Sequence, residues 1–355
     1  MDKSEIPTDV LKELHSGVVI PAFPLAIDEN RNIDDKRQRA LARYYLEAGA
    51  GGIAVGVHTT QFEIRLPQFN LFRRVLEIAR DEFNQFAVNT KKPIIRVAGI
   101  VGQTRQAISE AELAVELEYH IGLLSLAALK DAGNEEIIKH CKMVAQRIPI
   151  FGFYLQPAVG GRKLNADFWR EFAKIENVVA IKIAPFNRYH TLDVVRGVAE
   201  SGRSDEIALY TGNDDNILID LLTEYSFTVK NKVVKKRIVG GLLGQWAVWT
   251  QKAVQLLEDV HLRFESGDVR DLLTLAPKIT DANAAFFDAA HNFAGCIVGI
   301  HEVLRRQGLL NGLWTLNENE TLSPGQKEEI DRVCAAYPEL NDDTFVKENL
   351  RKWLN

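Results

Sequence analysis

Sulfur is scarce in this chain, with 3 cysteines and 2 methionines among 355 residues. Cys141, Cys296 and Cys334 stand far apart and form no CxxC pair. That excludes a disulfide framework and a cysteine-built zinc site, and it fits a reducing cytoplasm. No uninterrupted apolar run approaches the about 20 residues that span a bilayer. The opening MDKSEIPTDVLKEL is acidic and lacks the apolar core of a signal peptide, so a soluble, cytoplasmic protein is expected. Strong charge of one sign is missing as well: 43 Lys and Arg against 48 Asp and Glu leave a net −5. Such a balance gives no electrostatic reason to bind nucleic acid. The locally basic stretch Lys230 to Arg237 reads as a solvated loop or hairpin. The 8 histidines have no ligand spacing and join no acidic cluster, so no metal and no cofactor are expected.

What the chain does have is alternation. Short apolar runs at Val18–Ala22, Gly52–Val57, Ile94–Gly99, Gly122–Leu126, Ile150–Tyr154, Val178–Ile183, Ile207–Thr211 and Ile238–Leu243 are separated by amphipathic stretches. In Asp34–Ala48, for example, Leu41, Tyr45 and Ala48 recur at helical spacing. Strands apolar on both faces belong to a parallel sheet covered by helices. Eight such units predict an α/β fold, a (β/α)8 TIM barrel, although an open doubly wound sheet fits the same count. After Val269 the strand signal ends. Leu272–Asn292, Ile297–Gln307 and Gly325–Ala336 read as helices, the last opened by a Ser323 cap and Pro324. The expected organisation is an N-terminal arm over 1–16, a barrel over 17–268 and a C-terminal helical extension over 269–355. A β-hairpin is expected near 226–237.

In such barrels, chemistry gathers at the C-terminal ends of the strands. The sixth run, Asn177-Val-Val-Ala-Ile-Lys182-Ile-Ala-Pro185, places one lysine among apolar residues. Burial would lower its pKa and leave a neutral amine, the nucleophile that forms an imine with a ketone. The bland alternative is a strand-end lysine reaching solvent or a buried carboxylate. Lys130, after the fourth run, competes for the role but sits beside Asp131 in a loop-like setting. Tyr154 closes the fifth run and is expected beside Lys182, where it could relay protons or simply fill the core. His58-Thr59-Thr60 follows the second run, and paired threonines with their amides can cradle a carboxylate, a weak signal taken alone. Gly160-Gly-Arg162 suits a phosphate or carboxylate grip as well as it suits a flexible turn. Gly240-Gly241 would let backbone approach a pocket closely. His291 and His301 read as structural.

These pieces, in this order, resemble the dihydrodipicolinate synthase / N-acetylneuraminate lyase family of class I, Schiff-base aldolases. His58-Thr59-Thr60 stands where the family has Gly-Thr-Thr-Gly-Glu, Tyr154-Leu-Gln-Pro157 is similar to its Tyr-x-x-Pro, and Ile181-Lys182 to its Ile-Lys pair. Tyr210-Thr-Gly212-Asn-Asp214 resembles its Gly-Asp segment and Gly240-Gly241-Leu-Leu its Gly-Ile-Ser stretch. The resemblance implies an imine between Lys182 and pyruvate or a related keto acid. It implies proton shuttling by Tyr154 assisted by Thr60, and a carboxylate held at Thr59 and Thr60. His58, Gly241 and Arg162 would contact substrate, and the chain would form a homotetramer or homodimer. Departures stand beside the matches. Gln61-Phe62 replaces Gly-Glu, Val159 replaces an arginine, and Ala127-Ala-Leu-Lys130 replaces the Pro-Tyr-Tyr segment. True dihydrodipicolinate synthesis is therefore not expected; an aldol cleavage or a sugar-acid dehydration is. The alternative is a barrel that binds a keto acid in a regulatory role.

Overall fold

A computed structural model describes residues 1–355, apart from the side chain of Ala158. Ten strands are present: β1 (Val19–Pro21), β2 (Gly52–Val55), β3 (Ile95–Ile100), β4 (Ile121–Leu124), β5 (Ile150–Leu155), β6 (Val178–Ala184), β7 (Ala208–Thr211), β8 (Glu224–Val229), β9 (Lys232–Arg237) and β10 (Gly240–Leu243). Eight of them form one sheet in the order β1-β10-β7-β6-β5-β4-β3-β2, and β8 and β9 pair separately. A parallel bridge between Ala22 and Ala54 joins the two ends of that order. The fold is the (β/α)8 barrel, with a C-terminal helical extension.

By density of contact the chain forms two compact units, Met1–Val18 with Ile95–Leu242, and Val19–Ile94 with Leu243–Asn355. In the first unit the parallel ladders β3–β4, β4–β5, β5–β6, β6–β7 and β7–β10 build the core. The strands of these ladders are buried at all but two positions, Arg96 and Leu155, because helices cover one face and side chains from neighbouring strands fill the other. A helix at Thr8–Ser16 is tied to β7: the Tyr210 hydroxyl donates to Leu14 O at 2.9 Å. The hairpin β8–β9 is antiparallel over Glu224–Arg237. It is held by Lys236, whose Nζ donates to Ile207 O at 2.7 Å.

The second unit holds β1, β2 and the C-terminal helices, including Arg270–Phe286, Cys296–Arg306, Gln326–Ala336 and Asp343–Trp353. One cap differs from the sequence reading. The helix after Pro324 begins at Gln326, and its cap is Gly325 at φ 81°. Ser323 is drawn elsewhere, its hydroxyl donating to the buried Asp288 carboxylate at 2.5 Å. The three thiols are free. Among the described residues no helix is long and apolar enough to cross a membrane, and no three His, Cys, Asp or Glu side chains group as metal ligands.

Candidate active site

β6 is buried at all seven positions, so its one charged residue, Lys182, is buried with it at 9 % exposure. Burial lowers the Lys182 pKa from 10.5 to about 8, against the opposing pull of the Asp214 carboxylate. In parallel ladders, register partners point to the same face of the sheet. Lys182 pairs with Phe153 on β5 and Tyr210 on β7, and Tyr210 pairs with Gly240 on β10. Its Nζ lies 4.5 Å from the Phe153 ring centroid, where the ring face partly stands in for lost water.

Tyr154 does not share that row, which corrects the expectation that it lies beside Lys182. The β5–β6 register shifts: Ile150 pairs with Val178 but Phe151 with Ala180, so the ladder skips Val179. Because side chains alternate, a one-residue slip exchanges the two faces of a strand. Tyr154 therefore pairs with Ile183 and packs its ring 5.2 Å from Trp169 and 5.8 Å from His190, on the helices covering the sheet. Its hydroxyl donates to Leu164 O at 3.1 Å and accepts from Leu164 N at 3.0 Å.

β7 brings the next element. A Cβ on Gly212 would fall 2.6 Å from Lys182 Cε and 2.8 Å from Ala184 Cβ, so only glycine lets this strand end pass the lysine. Gly212 N donates to Ile183 O at 2.7 Å. The loop beyond is fixed by Asp220, which is buried. Its Oδ2 accepts from Thr211 Oγ1 at 2.7 Å and Asn213 Nδ2 at 2.8 Å, and its Oδ1 from Asn216 Nδ2 at 3.2 Å and from Arg188. Asn213 Oδ1 in turn accepts from Phe186 N at 2.9 Å. The loop so fixed carries the buried Asp214, whose charge opposes the lowering of the Lys182 pKa.

Gly241 and Arg162, the other expected contact residues, have protein partners of their own. Gly241 pairs with Thr211, one residue off the Lys182 row, and its amide donates to Val18 O at 3.3 Å. Gly240 stands in the row instead, where a Cβ would meet the Tyr210 ring at 2.7 Å. Arg162 turns back onto the chain rather than reaching out as a free grip. Its Nη1 donates to Leu129 O and Ala132 O, both at 2.7 Å, which pins the loop after β5 to the segment after β4. Lys130 is exposed.

In the second unit a tight turn at His58–Thr60 follows β2. Thr60 donates its one hydroxyl proton to Phe23 O at 2.6 Å and accepts from Gly56 N at 3.0 Å and Val57 N at 3.2 Å. A hydroxyl so committed fixes the turn. Thr59 Oγ1, by contrast, is buried without a partner, as is Gln61 Nε2, while Gln61 Oε1 accepts from Leu316 N at 2.6 Å. His58 is half-buried, its ring 6.0 Å from that of Phe62.

The model of the Dihydrodipicolinate synthetase family matches residues 15–224. The chain belongs to this family. A 4-hydroxy-tetrahydrodipicolinate synthase of Cyanothece sp. is 27% identical over 251 residues, covering 69% of this chain and 79% of that protein. An N-acetylneuraminate lyase from Fusobacterium nucleatum superposes with a TM-score of 0.70 at 15% identity, over 92% of this chain and 100% of the other. A dihydrodipicolinate synthase from Acinetobacter baumannii, solved in complex with pyruvate, gives 0.70 at 18% identity over 90% and 98%. Likeness at such identities speaks for the fold. Within the dihydrodipicolinate synthetase family this chain is a divergent member.

Two residues that bear on Lys182 escaped the sequence reading. Phe153 was hidden by the register shift, which leaves no mark in composition. Asp214 lay in plain view inside the Gly212-Asn-Asp214 segment, and the signal was its place at the end of the strand adjoining Lys182.

Proposed function

We propose that this chain is a class I, Schiff-base lyase that forms an imine between Lys182 and pyruvate or a related 2-keto acid. The observation that supports this reading is a lysine buried on β6, its pKa lowered by burial to about 8, in an Ile-Lys pair that resembles the family's. At pH 7 a useful fraction of such an amine is neutral and nucleophilic, whereas an ordinary lysine is almost wholly protonated. The protonated imine then withdraws electrons from the adjoining carbon, the common step of aldol cleavage and of dehydration. The second substrate differs from that of the synthases, because Gln61-Phe62, Val159 and Ala127–Lys130 replace family residues. A sugar acid split or dehydrated at the carbon next to the keto group is the reaction class proposed. The role of Thr59 in holding the keto-acid carboxylate, with His58 beside it, rests on the match of its turn to the family's loop and on its unpartnered hydroxyl. Assembly into a homo-oligomer is part of the same reading.

The test is reductive trapping. Incubation with pyruvate and borohydride, followed by peptide mass spectrometry, should place the reduced adduct on Lys182. No adduct, or one on Lys130, would overturn the reading. A second reading, a keto-acid-binding barrel without turnover, draws on the committed hydroxyls of Tyr154 and Thr60. It would be marked by an adduct on Lys182 with no product from a panel of keto acids and sugar acids.

A further inference from the structure

An ammonium and a ketone give a protonated imine and one water, so a single positive charge stays at the lysine nitrogen from start to finish. On a strand buried at every position that charge has lost most of its water, and burial opposes it throughout. Phe153 meets it there. The slip in the β5–β6 ladder sets Phe153 opposite Lys182, and the phenyl ring is itself buried at 7 % exposure. Lys182 Nζ stands over the ring face, 4.5 Å from its centroid. On the other side the strand end at Gly212 confines the lysine stem, since a Cβ there would fall 2.6 Å from Cε and 3.0 Å from Cγ. The amine is thus held between a ring of β5 and the backbone that follows β7, all within one compact unit. An aromatic face is electron-rich and attracts a cation within about 6 Å, most strongly where water is excluded. A carboxylate in direct contact would keep the amine protonated for about 1–3 further pH units. A ring supports the cation by less and accepts no proton, so the neutral amine stays within reach near neutral pH.

We propose that the Phe153 ring holds the positive charge of Lys182 through the reaction, first as the ammonium and then as the protonated imine. This rests on the Schiff-base reading above. The titratable groups on the neighbouring elements act differently. Tyr154 on β5 faces the covering helices, Tyr210 on β7 gives its hydroxyl proton to Leu14 O at 2.9 Å, and Asp214 in the following loop opposes the effect of burial on the lysine. The ring leaves a signature of its own. Below the lysine midpoint, ammonium and protonated imine are both cations over the same face, and the ring leaves the equilibrium between them unchanged. Above the midpoint the starting amine is neutral, and only the imine gains from the ring. Phe153 therefore favours the adduct on the alkaline side alone.

The experiment measures borohydride-trapped pyruvate adduct on Lys182 from about pH 6 to 10, as a rate and as the pyruvate concentration for half-maximal adduct. It compares wild type, Phe153→Leu, and a series with mono-, di- and trifluorinated phenylalanine placed at position 153 alone. Fluorine drains the ring face in steps at nearly constant shape, so this series keeps the test open should Phe153→Leu fold poorly by circular dichroism. Phe153→Leu should move the midpoint of the rate profile down by about one pH unit, and the fluorinated rings should move it in graded steps. The half-maximal pyruvate concentration should rise about 10-fold at pH 9, the same free energy read at the imine, and stay within about twofold at pH 6. A midpoint that ignores fluorination, or a loss of adduct equal at both pH values, overturns the proposal and leaves the imine reading standing. Absence of any wild-type adduct on Lys182 removes that reading, and this proposal with it.

Discussion

Replacing Lys182 together with its carboxylate, as Lys182→Met with Asp214→Asn, should make the protein more stable while abolishing the adduct. Removing both partners avoids leaving a buried carboxylate uncompensated. The magnitude follows from the lowered pKa of the lysine, 10.5 falling to about 8. At about 1.4 kcal/mol per pH unit, the buried ammonium costs the fold about 3 kcal/mol. The sign comes from counting protons. Below about pH 8 both folded and unfolded chains hold the lysine proton, and the full cost is present. Between about 8 and 10.5 the folded amine is neutral while the unfolded one is still protonated. Unfolding then takes up a proton, and stability rises with pH. Thermal and urea melts of wild type and the double variant across pH 7 to 10.5 should show a gain that is largest at neutral pH and fades toward the alkaline end. A double variant less stable than wild type at pH 7, or a gain that ignores pH, would refute the account of Lys182 as a costly buried charge kept for its chemistry.

Gly212→Ala would push a methyl against Lys182 Cε at 2.6 Å. Displacing the amine should slow trapping at least about 10-fold, with the fold retained by circular dichroism, and an unchanged rate would refute the packing argument. Tyr154→Phe removes the hydroxyl that serves both Leu164 N and Leu164 O, so it should lower stability by about 1–2 kcal/mol in urea melts. It should leave trapping within about twofold of wild type, and a loss on the scale of general acid–base catalysis would return the proton-carrying role to the tyrosine. Burial pushes the His301 imidazole down to about 4 from 6.5. As pH falls from 6.5 toward 4 the unfolded chain gains the proton first, so stability drops by about 3 kcal/mol over that window. His301→Leu should flatten that limb in melts at pH 4.5 against pH 7, and an unaltered slope would count against it.

Much of the barrel can be read from the sequence because its strands are short apolar runs spaced by helical periods, a pattern set by burial on both faces. Lys182 is legible for the same reason: a charge inside such a run breaks the pattern and asks for a cause. What resists reading is anything that turns on a single residue of register. Counted from Ile150 and Val178, Tyr154 falls opposite Lys182; the skipped Val179 moves Phe153 there instead. The commitments of Thr60 and Arg162 were equally hidden, since their acceptors, Phe23 O, Leu129 O and Ala132 O, are backbone atoms that any sequence supplies. The cap at Ser323 failed because Asp288, distant in sequence, takes its hydroxyl.

The clamp that Thr60 places on its own turn bears on the thermodynamics of recognition. Gly56 N, Val57 N and Phe23 O are joined through one oxygen, so the backbone of the turn is already frozen before any ligand arrives. An anion settling on such a surface does not have to order it, and the about 1–2 kcal/mol per residue that immobilising backbone costs was met when the chain folded. If the turn holds the keto-acid carboxylate as proposed, calorimetry of pyruvate binding should give a small heat-capacity change. Association should be governed by diffusion and desolvation rather than by loop closure. A stiff turn of this kind discriminates by shape: it would adapt little to a ligand that does not match it.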